Sequence, residues 1–255
     1  MKFRGVEKSG KIMNRQLKPI AGTTILVMLQ LLLCSFVGAQ VTTPISALEV
    51  KYRKRILKND RVSVYFLKIP PGHASLMHRH DTDILSIFVA GGETRGTFYG
   101  KPPREDTFTV GEVRFRPAGF THSTENIGAN AFRSVILEFN SSMGAIEPTT
   151  PPESRYCNPG SETACVAEKY ILCTTGFCVK EITAAPGAMW LNNDYASDQM
   201  LVAVSDYRLS YQRRGKAAQG RKRKSGEVEY LPGGSQRQWK NALNKPARII
   251  DVVFR

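Results

Sequence analysis

A shift of 115 residues brings two halves of the chain into correspondence. Gly111-Glu112-Val113, Pro117, Gly119 and Asn126 recur as Gly226-Glu227-Val228, Pro232, Gly234 and Asn241. The same offset carries Pro71-Gly72 onto Pro186-Gly187, and Arg133 and Phe139 onto Arg248 and Phe254. Separate segments that share one offset describe two tandem copies of one unit, each about 100 residues long. Within the copies the apolar pattern is that of short strands. Val62, Val64 and Phe66 alternate with Arg61, Ser63 and Tyr65, while Ile84–Val89, Phe132–Phe139 and Ala247–Phe254 are compact apolar runs. Gly and Pro clusters punctuate them, which predicts an all-β sandwich or barrel in each half. The expected units are residues 48–141 and 168–255. They are joined by a linker over 142–167, where Pro148, Pro151 and Pro152 dilute the apolar pattern. A chain with 42% hydrophobic and 23% charged residues can build such cores, which excludes wholesale disorder and collagen-like or coiled-coil designs.

The first 39 residues read differently. A basic segment precedes the uncharged run Ile20–Ala39, which closes on Val37-Gly38-Ala39 before Gln40. This is the pattern of a secretory signal peptide. The alternative is an uncleaved anchor over 20–39, long enough to span a bilayer, and only then does the chain touch a membrane. Either way the body is expected to be secreted or periplasmic. Without 1–39 four cysteines remain: Cys157, Cys165, Cys173 and Cys178. An even number in an exported chain predicts two disulfides. The expected pairs are Cys157–Cys165, across Asn158-Pro159-Gly160, and Cys173–Cys178, across Thr174-Thr175-Gly176. A four-cysteine zinc site competes, but no tight C-x₂-C pair supports it.

The net charge is +14. The leader takes six basic residues and one acid with it, leaving 30 basic residues against 21 acidic ones. Two clusters hold much of the excess: Lys51-Tyr52-Arg53-Lys54-Arg55, and the run from Arg213 to Lys224. Nucleic acid, anionic lipid and acidic polysaccharide are the candidate partners of such clusters. They are read here as solvated loop charge. An exported chain rarely meets nucleic acid, and no aromatic residues interleave the second run.

Three of the four histidines belong to the first copy's motifs. His78 and His80 are two apart, which on an extended strand puts both imidazoles on one face. They lie in Gly72-x₅-His78-x-His80, and His122 lies in Gly111-x₅-Pro117-x-Gly119-x₂-His122-x₃-Asn126. These segments resemble the two motifs of the cupin superfamily. The second motif matches at every fixed position; the first matches at Gly72, His78, His80 and Gly91 or Gly92. The resemblance implies a bicupin, with a jelly-roll barrel in each half. It implies one divalent metal ion (Fe, Mn, Zn, Ni or Cu) on His78, His80 and His122. The family's glutamate ligand would fall at Ile84 or Leu85, so the expected site is a neutral three-imidazole set, with Asp83 as the nearest candidate fourth ligand. His73 follows a turn glycine and is expected on the surface.

In the second copy the histidine positions become Asn193, Tyr195 and Arg237. None of these makes a divalent-metal triad, and arginine stays protonated. The C-terminal barrel is therefore expected to be metal-free and structural, with Arg237 as a weak candidate for binding a carboxylate. Two functions compete. One is an enzyme of dioxygenase, isomerase or lyase type acting on a small organic molecule, for which Met77, Phe120 and Thr121 are candidate cavity neighbours. No catalytic residue is identified, and Asp83 and Glu125 are general-base candidates only by proximity. The other is a non-catalytic module that binds carbohydrate or a small ligand. Sheet edges could pair as a homodimer, or within one chain as a pseudo-dimer.

Overall fold

The computed structural model describes residues 45–46, 50–148, 151–191, 194, 196–212, 219–234 and 237–255. The leader 1–39, its reading as an anchor over 20–39, and the positions Asn193 and Tyr195 lie outside the described residues. Among the described residues there is no helix, and so none to cross a membrane.

The first copy contains β1 (Ile45–Ser46), β2 (Arg53–Lys58), β3 (Val62–Ile69), β4 (His78–His80), β5 (Ile84–Phe88), β6 (Gly92–Phe98), β7 (Arg104–Phe108), β8 (Val113–Arg116), β9 (Phe120–Asn126) and β10 (Phe132–Phe139). They form two sheets, in the orders β1-β4-β9-β6-β7 and β2-β3-β10-β5-β8. The second copy contains β11 (Ser154–Cys157), β12 (Cys165–Cys173), β13 (Phe177–Ala184), β14 (Met189–Leu191), β15 (Gln199–Ala203), β16 (Tyr207–Gln212), β17 (Gln219–Arg223), β18 (Val228–Leu231), β19 (Gln238–Asn241) and β20 (Ala247–Phe254). Their sheets run β11-β12-β13-β20-β15-β18 and β14-β19-β16-β17. Each copy is a jelly-roll barrel. Strands β13, β15, β17, β18 and β20 repeat β3, β5, β7, β8 and β10 residue for residue at the 115 offset.

The repeated motif residues are turn hardware. Gly72 and Gly187 sit at φ +70° and +72°, and Gly119 and Gly234 at +91° and +90°. A side chain strains that left-handed conformation. Asn126 donates from Nδ2 to the carbonyls of Ile69 and Asn130, and its Oδ1 accepts from Gly128 N. Asn241 repeats these bonds to Ala184, Lys245 and Leu243. Each asparagine thus satisfies backbone groups that would otherwise be orphaned beneath a loop.

Alternation along the strands feeds two cores at once. On β10, Phe132 and Ile136 face the barrel interior with Leu67, Ile69 and Phe88. Val135, Leu137 and Phe139 face the other way, into a core shared with Phe177, Val179, Met200 and Val252 of the second copy. Both faces of this sheet are buried, and the two barrels pack on each other within one chain as a pseudo-dimer.

The expected linker over 142–167 is corrected at its C-terminal end. Strand β11 and the start of β12 lie inside it and extend the second barrel's sheet. They form strands because Cys157 faces Cys165 across the ladder, and their disulfide ties the two edges. The second disulfide joins Cys173 to Cys178 across the β12–β13 turn. Both pairings match the expectation.

Candidate metal centre

Strand β4 lies antiparallel to β9, with His78 directly opposite His122 and His80 opposite Phe120. Gly119 sets the entry to β9, and its N–H donates to the His80 carbonyl at 2.9 Å. Period-2 alternation sends His78 and His80 into the barrel while Arg79 points out to Asp81. The three imidazoles converge. His80 Nε2 lies 3.1 Å from His78 Nε2 and 3.2 Å from His122 Nε2. They are the one group of three or more histidine, cysteine or carboxylate side chains, among the described residues, close enough to hold a metal ion.

The outer nitrogens fix the tautomers. His78 Nδ1 is 2.8 Å from the Leu76 carbonyl, and His80 Nδ1 is 3.1 Å from Glu138 Oε1. Both partners only accept, so each Nδ1 carries the proton and donates it. With both Nδ1 atoms donating outward, the Nε2 atoms of His78 and His80 face each other across the barrel interior, where one cation could be held by both. The donor set fits a divalent ion: a tetrahedral site with bonds of about 2.0–2.1 Å spaces its nitrogens about 3.3 Å apart, and a facial octahedral site spaces them slightly closer.

Burial lowers the His78 pKa to about 4, against a partial offset from the Leu76 carbonyl. Burial, then the charges of His78 and His80, hold His122 well below the ordinary imidazole value. The site thus keeps these ligands neutral and ready for a metal. It also burdens the metal-free protein in acid. Between pH 6.5 and about 4 the unfolded chain takes up a proton that folded His78 refuses, so stability falls as pH drops through that window. For His78 alone the loss is about 3 kcal/mol. Denaturant unfolding of the metal-free protein at pH 7 and pH 4.5 should show it, and a His78→Asn variant should flatten the dependence.

Behind the imidazoles stands a pair that sequence reasoning missed. Glu138 on β10 also binds Arg53 on β2, with Arg53 Nη2 2.6 Å from Glu138 Oε1. Burial would raise the Glu138 carboxyl; the His80 hydrogen bond and the Arg53 guanidinium outweigh it and hold the carboxyl below its usual range. Arg53 lies over the Tyr65 ring, 3.6 Å from its centroid. It is therefore not solvated loop charge, a correction to the reading of the first basic cluster. The signal was a glutamate on the inward face of β10, in phase with Phe132 and Ile136.

Asp83 is corrected as well. Its carboxylate accepts from Ala118 N at 2.8 Å and Met143 N at 2.7 Å, closing loops rather than joining the imidazoles. Asp198, its counterpart at the 115 offset, accepts from Gly233 N in the same way. Glu125 is no base for this site: it alternates to the outer face and pairs with Arg95 at 3.0 Å. Thr121 shares that outer face, whereas Phe120 stacks on His80 with centroids 4.8 Å apart. Met77 is half-buried and does not line the cavity. His73 is exposed, as expected.

The imidazoles line a cavity of about 80 Å³. That is room for a handful of water-sized groups. Its walls include Ile84, Phe88, Phe108 and Ile136, with Arg114 and Arg116 on β8. Arg114 is paired, to Glu112 at 2.8 Å. Arg116 forms no ion pair with a described residue, and its guanidinium lies over Phe98, 5.1 Å from the centroid. Burial, then the charge of Arg114, lowers its pKa without discharging it.

The second barrel's interior is filled differently. Arg237, at the position matching His122, is buried. Lys180 is buried among Glu168, Asp194 and Asp251. Burial raises the Asp251 carboxyl against the pull of Lys180.

No protein-family model and no curated protein matches the sequence. Solved structures do match the fold. AerE from Microcystis aeruginosa aligns over 81% of this chain and 98% of its own, with TM-score 0.56 and 12% identity. A cupin 2 conserved barrel domain protein from Leptotrichia buccalis aligns over 84% and 92%, with TM-score 0.51 and 14% identity. The oxalate decarboxylase of Bacillus subtilis, a protein with Mn(II) centres, aligns over 76% and 68%, with TM-score 0.52 and 13% identity. At such identities the likeness is one of fold: two cupin jelly-roll barrels in one chain.

Proposed function

From this two-barrel cupin fold, we propose that the first barrel binds one divalent metal ion through Nε2 of His78, His80 and His122. There it serves the conversion of a small carboxylate, by lyase or oxygenase chemistry. The observation that carries this reading is the convergence of three imidazole Nε2 atoms, two of them on rings held from behind by Leu76 and Glu138. When bound, the ion supplies Lewis acidity, and electron transfer if it is redox-active. The chain's own residues do the rest. Three neutral ligands leave the ion's full charge to attract an anion, and Arg116 offers a planar, two-pronged partner for a carboxylate. Phe98 and Phe120 flank the histidines and Arg116 and keep water from them. The cavity volume limits the ligand to a few non-hydrogen atoms.

The chain is proposed to work outside the cytoplasm, delivered by residues 1–39. Its two disulfides fit an oxidising compartment. A second reading, a ligand-binding module without catalysis, draws support from Asp106. This cavity-lining carboxylate is already paired with Arg104 and Arg114.

The test is a panel of small mono- and dicarboxylates beside their uncharged amides, given to metal-loaded protein. The acids should bind or turn over. Arg116→Gln should weaken them by at least about tenfold while metal content stays unchanged. Equal use of acids and amides, or no effect of Arg116→Gln, would contradict the assignment.

A further inference from the structure

Residues 213–218 of the second basic cluster lie outside the described residues, but its end, residues 221–224, meets the first cluster in the fold. An open groove of about 520 Å³ runs between edge strand β2 of the first barrel and the β17–β18 turn of the second, with Lys54 on one side and Lys224 on the other. Lys54, Arg55 and Lys58 on β2 are exposed, as are Lys222 and Lys224, and none of the five forms an ion pair with a described residue. Arg221 and Arg223, by contrast, share the carboxylate of Glu229 at 3.3 and 3.2 Å. The carboxylate lining the groove, Glu227, is turned to the backbone N–H of Lys224. The floor is apolar, made by Ile56, Phe66 and Val228. It is also rigid: Phe66 and Val228 pack on the core between the barrels. Gly226, at φ +88°, comes down on Phe66 so closely that a Cβ there would stand 2.5 Å from the ring.

We propose that this groove binds a linear acidic polysaccharide, with uronate or sulfate groups on the lysines and the C–H faces of the sugar rings on the apolar floor. Concave shape argues against a flat bilayer as the partner. Among the described residues Phe66 is the one aromatic residue lining the groove, so no series of aromatic platforms is offered to successive nucleic-acid bases. The disulfides fit the oxidising surroundings in which such polysaccharides are met. The site is separate from the imidazole cavity and independent of its metal.

The experiment measures binding of the full disulfide-bonded chain to polygalacturonate and to heparin, at low and high salt. Lys54→Glu/Lys224→Glu should lower affinity at least about tenfold at about 50 mM salt, and the wild-type affinity should fall steeply with added salt. Lys101→Glu/Lys245→Glu changes the net charge equally at two exposed lysines outside the groove and should leave binding within about twofold. Three results overturn the proposal: equal losses in the two variants, no binding to either polysaccharide at low salt, or tighter binding to duplex DNA or to phosphatidylglycerol vesicles than to polysaccharide. Unchanged metal content in both variants keeps the outcome distinct from the fate of the imidazole site.

Discussion

Protein purified after expression in metal-supplemented medium should carry about one equivalent of divalent metal, and His78→Ala/His122→Ala should carry almost none. The effect on stability should be just as large. At a free metal concentration a thousandfold above the dissociation constant, binding to the folded state alone adds about 4 kcal/mol. The wild type should therefore gain that much on metal addition and the variant nothing. The sign should differ in the metal-free state, where burial keeps His78 and His122 neutral at a cost in acid. There a His122→Phe variant, which replaces a ligand by an apolar ring of similar shape, should be at least as stable as the wild type. Elemental analysis and denaturant unfolding, each with and without chelator, read both effects. A variant that keeps its metal, or a wild type that gains no stability from it, would count against the triad.

The second large effect is expected at Glu138. Glu138→Ala takes the carboxylate partner away from the Arg53 guanidinium, whose side chain is buried at 2% exposure. Breaking one partner out of a buried pair costs about 3–5 kcal/mol. The same change removes the acceptor that holds His80 in its tautomer, and loss of such an outer partner weakens metal binding by about 10- to 100-fold. Glu138→Gln keeps an acceptor for His80 and loses only the charge, so it should recover part of the metal affinity while Arg53 remains poorly matched. A stability loss under about 1 kcal/mol in Glu138→Ala would show that the pair is not built as described.

The repeat and the histidines were legible because they are held by local rules. Left-handed glycines, a loop-clasping asparagine and two histidines two apart on a strand declare themselves within a few residues. Glu138 and Arg53 were not legible, because their contact joins β2 to β10 across 85 residues and each sits in an ordinary neighbourhood. Arg53 reads as one cation among five, and Glu138 as a polar residue at a strand end. Alternation shows which residues share a face but not which face is inside. In β10 both are covered, one by the barrel interior and one by the other barrel, so Val135 and Ile136 look alike in sequence while facing different cores. Asp83 failed as a ligand for a related reason. Closeness in sequence to His80 counts for little once a turn redirects the chain, and its carboxylate is taken up by backbone N–H groups of two distant loops.

Anomalous diffraction at the absorption edge of the bound metal, from crystals of the metal-loaded chain, locates the ion itself. One peak is expected inside the first barrel, about 2.0–2.2 Å from the Nε2 atoms of His78, His80 and His122, with Glu138 still on the far side of His80. A peak at any other place, or imidazoles turned away from it, would mean that these three histidines do not form the metal site.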